Sequence, residues 1–352
     1  MRRRPSFFEH LHPPAIPERE ARFRYTFGLG GISLLLFLIL CLTGLLELFY
    51  YLPTLEDANA SAHVIDALVP YGWVVRGIHY WAGQGIVVTA ALHMVRIVLT
   101  GAYRTPRRFN WLLGLSLLPA VLLLDFTGLV LRWDTHIAWA LMVGTNLLRT
   151  IPLVGPALYT LAVGGSEIGP PTVVRFFAWH ILGLALPAAI LIAWHLFRVR
   201  RDGGISRLAA PALLPADRPP SSASDFPRIP RAELVRREAI TALIVCALLL
   251  TLALLAPPGL GPRAEFADLP PDASAPWFFL WVQQLLRLGD PFLMGVAIPC
   301  GVLLTLALVP YAIDRHTGGE GRWFNRPGRL AQTIVLGMLA LIGALILRGA
   351  LT

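Results

Sequence analysis

Four histidines in two apolar stretches of the chain have a spacing that suggests chemistry. His79 and His93 bound the segment HYWAGQGIVVTAALH, fourteen residues apart, and His180 and His195 bound HILGLALPAAILIAWH, fifteen residues apart. In an α-helix, fourteen residues rise about 21 Å and stop about 40° short of four full turns, whereas fifteen residues pass them by about 60°. Each stretch therefore predicts two imidazoles on nearly one side of a helix, one near each end.

The two histidine stretches are predicted to cross a membrane in the same direction. His79 can then face His180 near one surface, and His93 can face His195 near the other. Two facing imidazoles in an apolar helix bundle are an axial ligand pair for haem iron. A single histidine of this kind could equally be satisfied by a hydrogen bond between helices. Four at matched depth favour two ligand pairs, because polar groups are costly in lipid.

Two further apolar stretches carry glycines with the same spacing of fourteen residues. Gly30 and Gly44 lie in one stretch, and Gly114 and Gly128 lie in the other. A glycine lets a helix backbone approach a flat porphyrin closely. Helix packing through small residues explains any one of these glycines, but it does not predict the repeated spacing.

Three arginines lie close to the histidines along the chain, namely Arg76, Arg96 and Arg200. Guanidinium groups at these depths can pair with the propionates of a haem. Without a haem, extension of the side chains toward the membrane surface would be their default role.

The elements that position these residues are membrane-spanning helices. The chain has 352 residues, of which 56% are hydrophobic and 14% charged, a composition typical of membrane proteins. About twenty apolar residues are needed to cross the bilayer core as a helix. Seven segments qualify: roughly 27–50, 76–100, 111–131, 176–197, 238–257, 291–312 and 330–348.

The net charge of +9 comes from arginine alone. The arginines cluster in alternate loops between the apolar segments, which argues against nucleic-acid binding. Because positive loops stay in the cytoplasm, the N-terminus is expected inside and the C-terminus outside. The sequence contains neither CxxC nor CxxCH, so neither a cysteine zinc site nor covalent c-type haem is supported.

Two connecting segments differ from simple loops. The segment 132–175 contains TNLLRTIPLVGPALYTLAVGG, and its mixed helical spacing predicts short amphipathic helices in the outer membrane interface. The segment 207–232 is polar and rich in proline, so it is predicted to be a cytoplasmic linker. It would separate a four-helix domain, residues 1–206, from a three-helix domain, residues 233–352.

These residues resemble cytochrome b of the bc1 and b6f complexes. The resemblance rests on GGISLLLFLILCLTG, the two histidine stretches, GLVLRWD, TNLLRTIPLVG and TVVRFFAWH, which occur in the family's order and spacing. The four-helix part resembles cytochrome b6 and the three-helix part resembles subunit IV, fused in one chain. The fold class is thus expected to be an all-α integral membrane protein, with a four-helix dihaem bundle followed by three helices.

The resemblance implies two non-covalent b haems, an outer one on His79 and His180 and an inner one on His93 and His195, with the four glycines facing them. The family oxidises quinol at an outer site, passes one electron across the membrane to an inner quinone site, and contributes to proton translocation. The implied partners are a Rieske-type or other iron–sulfur protein, a c-type cytochrome, further respiratory subunits, membrane lipid and a second copy of the chain. The implied location is the bacterial cytoplasmic membrane.

The outer quinone site would be formed by residues of TNLLRTIPLVG, its preceding helix and the segment SAPWFFLWVQQLLR, namely Val143, Ile151, Pro152, Pro276, Trp277 and Phe278. The family carries a Pro-Glu-Trp-Tyr motif here, whose glutamate takes a quinol proton. In this chain Ala275 and Pro276 occupy the Pro-Glu positions, so the glutamate is missing. Arg132 also replaces a usual proline. Leu36 stands where the b6f branch has a haem-attaching cysteine, so no covalent haem is expected.

Asp125, in LLLDFTGLV, is a candidate substitute for the missing glutamate. A carboxylate in an apolar span costs about 2.5 kcal/mol or more, which makes it a functional candidate. The alternative is a structural pair with an arginine such as Arg132. His136, Asp134 and Asp272 are weaker substitutes, because loop residues of these types are usually solvated.

Three functions are compatible with these observations. The first is a dihaem cytochrome b subunit of a quinol-oxidising complex. The second is a quinone-linked electron conduit whose outer site is altered and does not split the two electrons, which the APWF segment favours. The third is a seven-span transporter or scaffold without haem, which an optical difference spectrum would distinguish from the others.

Overall fold

The computed structural model describes residues 15–18, 21–205, 227–266, 274–317 and 321–351. Seven helices in these residues are long and apolar enough to cross a membrane, which confirms the predicted number of spans. Their bounds are α1 Leu29–Glu47, α3 Gly72–Thr100, α4 Arg108–Val130, α7 Pro170–Arg201, α8 Arg231–Leu255, α10 Leu293–Ile313 and α11 Arg326–Leu351.

Shorter elements connect the spans on both sides. The segment between α4 and α7 contains two short helices rather than an eighth span, as its sequence predicts. The shorter helices are α2 Ala58–Ala67, α5 Thr135–Arg149, α6 Gly155–Val163 and α9 Leu280–Leu286, with single turns at Phe23–Thr26 and Trp277–Phe279.

A two-stranded antiparallel ribbon departs from the all-α prediction. Strand β1, Ala15–Pro17, pairs with β2, Arg228–Pro230. Both strands contain proline, which disfavours helix and leaves the preceding residue extended. The ribbon connects the N-terminal arm to the start of α8. Most of the predicted linker, residues 207–226, lies outside the described residues, and the proposed division at 207–232 stays a prediction.

The N-terminal and C-terminal helices pack against one another through small residues and buried indoles. A Cβ atom at Gly77 of α3 would lie 3.0 Å from the Cβ atom of Ala253 in α8, so these two backbones are in close contact. The indole nitrogen of Trp111 in α4 donates a hydrogen bond of 2.8 Å to the carbonyl oxygen of Leu306 in α10. The C-terminal helices therefore share a core with the helices that carry the histidines.

A buried polar cluster joins the two halves on the predicted cytoplasmic side. The Arg104 side chain is fully buried and pairs with the Asp314 carboxylate at 2.6 Å. Tyr103 also donates to Asp314, and Arg104 donates to Asn325 at 2.8 Å. Burial opposes ionisation of Asp314, but the hydrogen bonds from Arg104, Tyr103 and His316 outweigh it and hold its pKa below the ordinary value. The cluster is charge-balanced and internally satisfied.

Helix α7 contains a π-helical segment, Trp179–Ala185, that begins one residue before His180. Pro187 follows it and has no N–H group, so the usual bond to the carbonyl of Gly183 cannot form. A π-helical turn holds one residue more than an α-helical turn. This extra residue absorbs the fifteenth residue between His180 and His195 and brings the two imidazoles back toward one face. Sequence spacing alone left them about 60° past four turns.

Candidate dihaem centre and quinol site

The outer pair of imidazoles is held by α3 and α7, and each ring faces a glycine of a neighbouring helix. A Cβ atom at Gly44 of α1 would lie 3.1 Å from Cε1 of His79, and one at Gly128 of α4 would lie 3.1 Å from Cε1 of His180. His79 and His180 are close enough to interact electrostatically. Glycine is therefore the residue that lets each imidazole approach the adjoining helix backbone this closely.

The inner pair repeats this arrangement about 21 Å away along the helices. A Cβ atom at Gly30 would lie 3.1 Å from Cε1 of His93, and one at Gly114 would lie 3.1 Å from Cε1 of His195. His93 and His195 are also within electrostatic range of each other. All four predicted glycines thus contact the four predicted histidines, one to one.

The outer imidazoles have hydrogen-bond partners that define which ring nitrogen is free. Nδ1 of His79 lies 2.8 Å from the Thr43 hydroxyl, and Nδ1 of His180 lies 2.9 Å from the Thr127 hydroxyl. Each hydroxyl donates its single proton to the carbonyl of the residue four positions earlier, at 2.8 Å. It must then accept from Nδ1–H, which leaves the lone pair on Nε2.

This donor set fits haem iron. Neutral imidazoles with an available Nε2 lone pair and an oriented Nδ1–H are suitable axial ligands. The fit rests on the paired rings and the glycine-lined faces, both of which follow from helix positions. Sequence reasoning missed Thr43 and Thr127, although each directly precedes an outer glycine, in the same Thr-Gly dipeptide on α1 and on α4, and this repeat could have indicated them.

The three predicted propionate arginines have different surroundings. Arg76 donates to Asp66 of α2 through two nitrogens and to the carbonyl oxygen of Pro258 at 2.6 Å. Arg96 is buried, with its guanidinium carbon 4.5 Å from the centre of the Tyr25 ring. Arg200 is partly buried near the end of α7. Arg76 would have to share its guanidinium between Asp66 and a propionate.

Asp125 is connected to the predicted quinone segment through one side chain. The Gln84 amide nitrogen of α3 donates to both carboxylate oxygens of Asp125, at 3.2 and 3.0 Å. The indole nitrogen of Trp277 donates to the Gln84 amide oxygen at 2.6 Å. Three distant parts of the sequence therefore meet at this point. Sequence reasoning missed Gln84, because nothing in the sequence shows which way it faces.

The suggested pairing of Asp125 with Arg132 is wrong. Arg132 instead forms an ion pair with Asp134, its close neighbour in the chain. Asp134 is fully buried and also accepts from the backbone N–H groups of Ile137 and Gly261, so it caps α5 and fixes the loop. His136 is exposed, and Asp272 lies outside the described residues.

The predicted quinone residues fall into two groups. Phe278 is buried and Trp277 is 40% exposed, and the adjoining Phe279 ring lies 5.8 Å from the Phe126 ring between centres. Helix α5 reaches the same cluster, because a Cβ atom at Gly144, the neighbour of Val143, would lie 3.5 Å from Phe126. Pro276 immediately precedes this aromatic turn. Ile151 and Pro152 lie in the turn after α5, where Pro152 is exposed.

Residues 18–203 match the family model described as cytochrome b/b6/petB, and this range contains all four histidines and all four glycines. The chain belongs to this cytochrome b/b6 family. Membership implies haem b and interaction with quinone.

Curated relatives agree with this assignment. Cytochrome b6 of Heliomicrobium gestii is 38% identical over 177 residues, covering 50% of this chain and 83% of the relative. The menaquinol:cytochrome c reductase cytochrome b subunit of Geobacillus thermodenitrificans is 36% identical over 198 residues, covering 55% and 85%. These cytochrome b matches span about half of the present chain.

The remaining helices are covered by structural similarity. A solved chain of a hyperthermophilic respiratory Complex III superimposes with a TM-score of 0.75, covering 92% of this chain and 84% of that chain at 23% identity. At this identity the similarity establishes the fold, including the helices that follow the family match. This cytochrome b is thus a multi-pass membrane protein with a Complex III-like arrangement of helices.

Proposed function

We propose that the chain is the dihaem cytochrome b subunit of a quinol-oxidising respiratory complex. It would carry electrons through the membrane from an outer to an inner quinone site and so contribute to proton translocation. The observation that supports this most strongly is the one-to-one contact of four histidines with four glycines in two pairs.

Each group of residues has a role in this proposal. His79 and His180 would hold an outer haem b, and His93 and His195 an inner one. A bound haem supplies iron that accepts and releases one electron at a time. Thr43 and Thr127 would keep Nε2 of the outer histidines available for iron. The glycines leave no side chain on the adjoining helix beside each imidazole, which makes room for a porphyrin.

The remaining residues orient substrate and cofactor. Arg76, Arg96 and Arg200 are proposed to bind propionates, which adds charge-assisted hydrogen bonds at the rim of each haem. The surface formed by Val143, Ile151, Pro152, Pro276, Trp277 and Phe278 is proposed to bind quinol. The four-helix part would be residues 1–206, the linker 207–232 and the three-helix part 233–352.

The arginine distribution supports a cytoplasmic N-terminus and an external C-terminus, in the cytoplasmic membrane of a bacterium. The proposed partners are a Rieske-type or other iron–sulfur protein, a c-type cytochrome and a second copy of the chain. The relative named menaquinol:cytochrome c reductase supports a partner that ultimately reduces cytochrome c.

A second candidate function follows from the absence of a carboxylate in the APWF segment. In that case the chain is an electron conduit whose outer site does not send its two electrons to different acceptors. Its partners would then lack a Rieske protein.

The test is quinol addition to the purified complex, with haem reduction followed optically. If the first function holds, an added oxidant increases reduction of the haems, because removal of one electron from quinol delivers the other to them. If the second holds, the oxidant only oxidises the haems. Absence of any b-type spectrum would contradict both functions.

A further inference from the structure

We propose that Asp125 is the proton acceptor for quinol at the outer site, with its carboxylate oriented by Gln84 and Trp277. This inference rests on the proposed quinol-oxidising function. It assigns a catalytic role to a helix residue, in place of the carboxylate missing from the APWF segment.

The hydrogen bonds define the orientation of the Gln84 amide. An indole N–H can only donate, so the Trp277 bond of 2.6 Å must be accepted by the amide oxygen of Gln84. The amide NH₂ group must then face Asp125, where it lies 3.0 and 3.2 Å from the two carboxylate oxygens. Asp125 is therefore held as an acceptor by a neutral donor.

The helix backbone leaves room for this carboxylate. A Cβ atom at Gly83 would lie 2.6 Å from Oδ1 of Asp125, so no side chain fits at position 83 while the carboxylate keeps its place. Asp125, Gln84 and Trp277 each retain some exposure, and the indole is 40% exposed. None of these three side chains is fully enclosed, so each can be contacted by a ligand.

Nothing that the structure describes neutralises Asp125. Within the described residues, no arginine or histidine forms an ion pair or hydrogen bond with it. A carboxylate in a membrane span without a counter-charge is costly, so it gains free energy by taking up a proton. An arginine partner would have removed this tendency.

The depth of Asp125 matches the outer ligand pair rather than the inner one. It precedes Gly128 by three residues, about 4.5 Å along α4, and follows Gly114 by eleven residues, about 16.5 Å. Asp125 therefore lies at nearly the depth of the outer histidine pair, where it could accept a proton from quinol.

The step can be written in balance. Quinol loses two protons and two electrons. One quinol O–H bond breaks and its proton forms a new O–H bond on Asp125, while the other proton leaves toward the outer aqueous phase. A haem held by His79 and His180 would accept one electron, and a one-electron acceptor of the iron–sulfur class would accept the other. Asp125 later releases its proton to the outer phase.

The experiment compares the intact complex with its Asp125→Asn variant. General acid–base groups contribute about 10²–10⁴-fold, so quinol-driven haem reduction should slow at least about 100-fold. Dithionite reduction and haem content should be unchanged. The matched control is Glu167→Gln, an exposed carboxylate in an outer loop, which should keep the rate of the unsubstituted protein.

Two further variants keep the proposal testable if Asp125→Asn fails to assemble. Asp125→Glu retains a carboxyl group and should shift the infrared carboxylic-acid band that forms on quinol oxidation. Trp277→Phe keeps an aromatic ring but removes the indole N–H that donates to Gln84, and it should slow oxidation less than Asp125→Asn.

The outcomes separate this proposal from the proposed function. Normal haem spectra with a quinol oxidation rate within about threefold of normal in Asp125→Asn would overturn the role of Asp125 alone, as would an infrared band unaffected by Asp125→Glu. Absence of haem from the unsubstituted protein would overturn the proposed function itself.

Discussion

The outer and inner histidine pairs have the same frame but different surroundings. Both pairs use α3 and α7, and in each pair a glycine of α1 or α4 lies against each ring. The outer glycines are preceded by Thr43 and Thr127, whereas the inner glycines are preceded by Leu29 and Leu113. Among the described residues, neither inner imidazole has a side-chain hydrogen-bond partner.

The glycines and the threonine hydroxyls therefore have different roles. The glycines determine whether a flat cofactor fits, so they are common to both pairs. The hydroxyls act on the imidazole itself, because an Nδ1–H bond makes the ligand more basic. If each pair holds a haem, as proposed, the two haems are expected to bind in the same way but to differ in redox potential, and each property can be changed without the other.

The largest effect is expected from removing one histidine of each pair in turn. His180→Leu should lose the outer haem and His195→Leu the inner haem, so that each variant retains about half of the haem and no longer carries electrons across the membrane. Haem content per polypeptide and the optical difference spectrum measure this. Loss of both haems from only one of the two variants would show that the pairs are not independent.

The next effect concerns the common frame and has a neighbouring control. Gly30→Val should displace His93, because even a Cβ atom there would lie 3.1 Å from the ring. Gly31→Val should be tolerated, since a Cβ atom at position 31 would meet nothing within 4 Å. Inner-haem content is the measurement. Equal loss in both variants would indicate helix disruption instead of steric exclusion.

The predicted cytoplasmic side of the protein also differs from the outer side, because it contains the fully buried Arg104–Asp314 ion pair. Arg104→Met leaves the Asp314 charge buried, so it should lower the free energy of unfolding by about 3–5 kcal/mol. Arg22→Met removes a solvent-exposed pair with Glu18 and should cost at most about 1 kcal/mol. Chemical denaturation in detergent compares the two variants. A similarly small loss of unfolding free energy in both variants would show that the Arg104–Asp314 pair does not stabilise the contact between the two halves.

The smallest effect is expected from the outer hydroxyls. Thr127→Val keeps the shape of the side chain but removes the hydrogen bond to His180, which makes the ligand less basic. The outer-haem potential should rise by roughly 20–60 mV, equivalent to one hydrogen bond of about 0.5–1.5 kcal/mol. The inner-haem potential in the same titration is the internal control. A shift of the inner haem alone would reverse the assignment of the pairs.

Much of the fold could be predicted from the sequence because the lipid environment restricts it. Runs of about twenty apolar residues predict spans, and loop arginines order them. The spacing of fourteen residues between His79 and His93, and between the glycines of each pair, is almost four helical turns. It therefore predicts that both residues of each pair lie on one face of a helix. Those residues could therefore be found without coordinates.

The remaining features depend on how the helices pack. The fifteen-residue interval in α7 conceals a π-helical turn next to Pro187, and a single sequence shows the proline but not the register that results. The contacts from Trp277 through Gln84 to Asp125 join residues almost two hundred positions apart. The sequence showed that Asp125 is a carboxylate in an apolar span, but the partner suggested for it, Arg132, pairs with Asp134 instead.

A potentiometric titration of the purified protein, followed in its optical spectrum, would show whether each chain binds two bis-histidine haems. We expect two one-electron steps of similar amplitude, with a total of two b haems per polypeptide. A single step with one haem per polypeptide, or no b-type spectrum, would show that the two histidine pairs do not bind two haems.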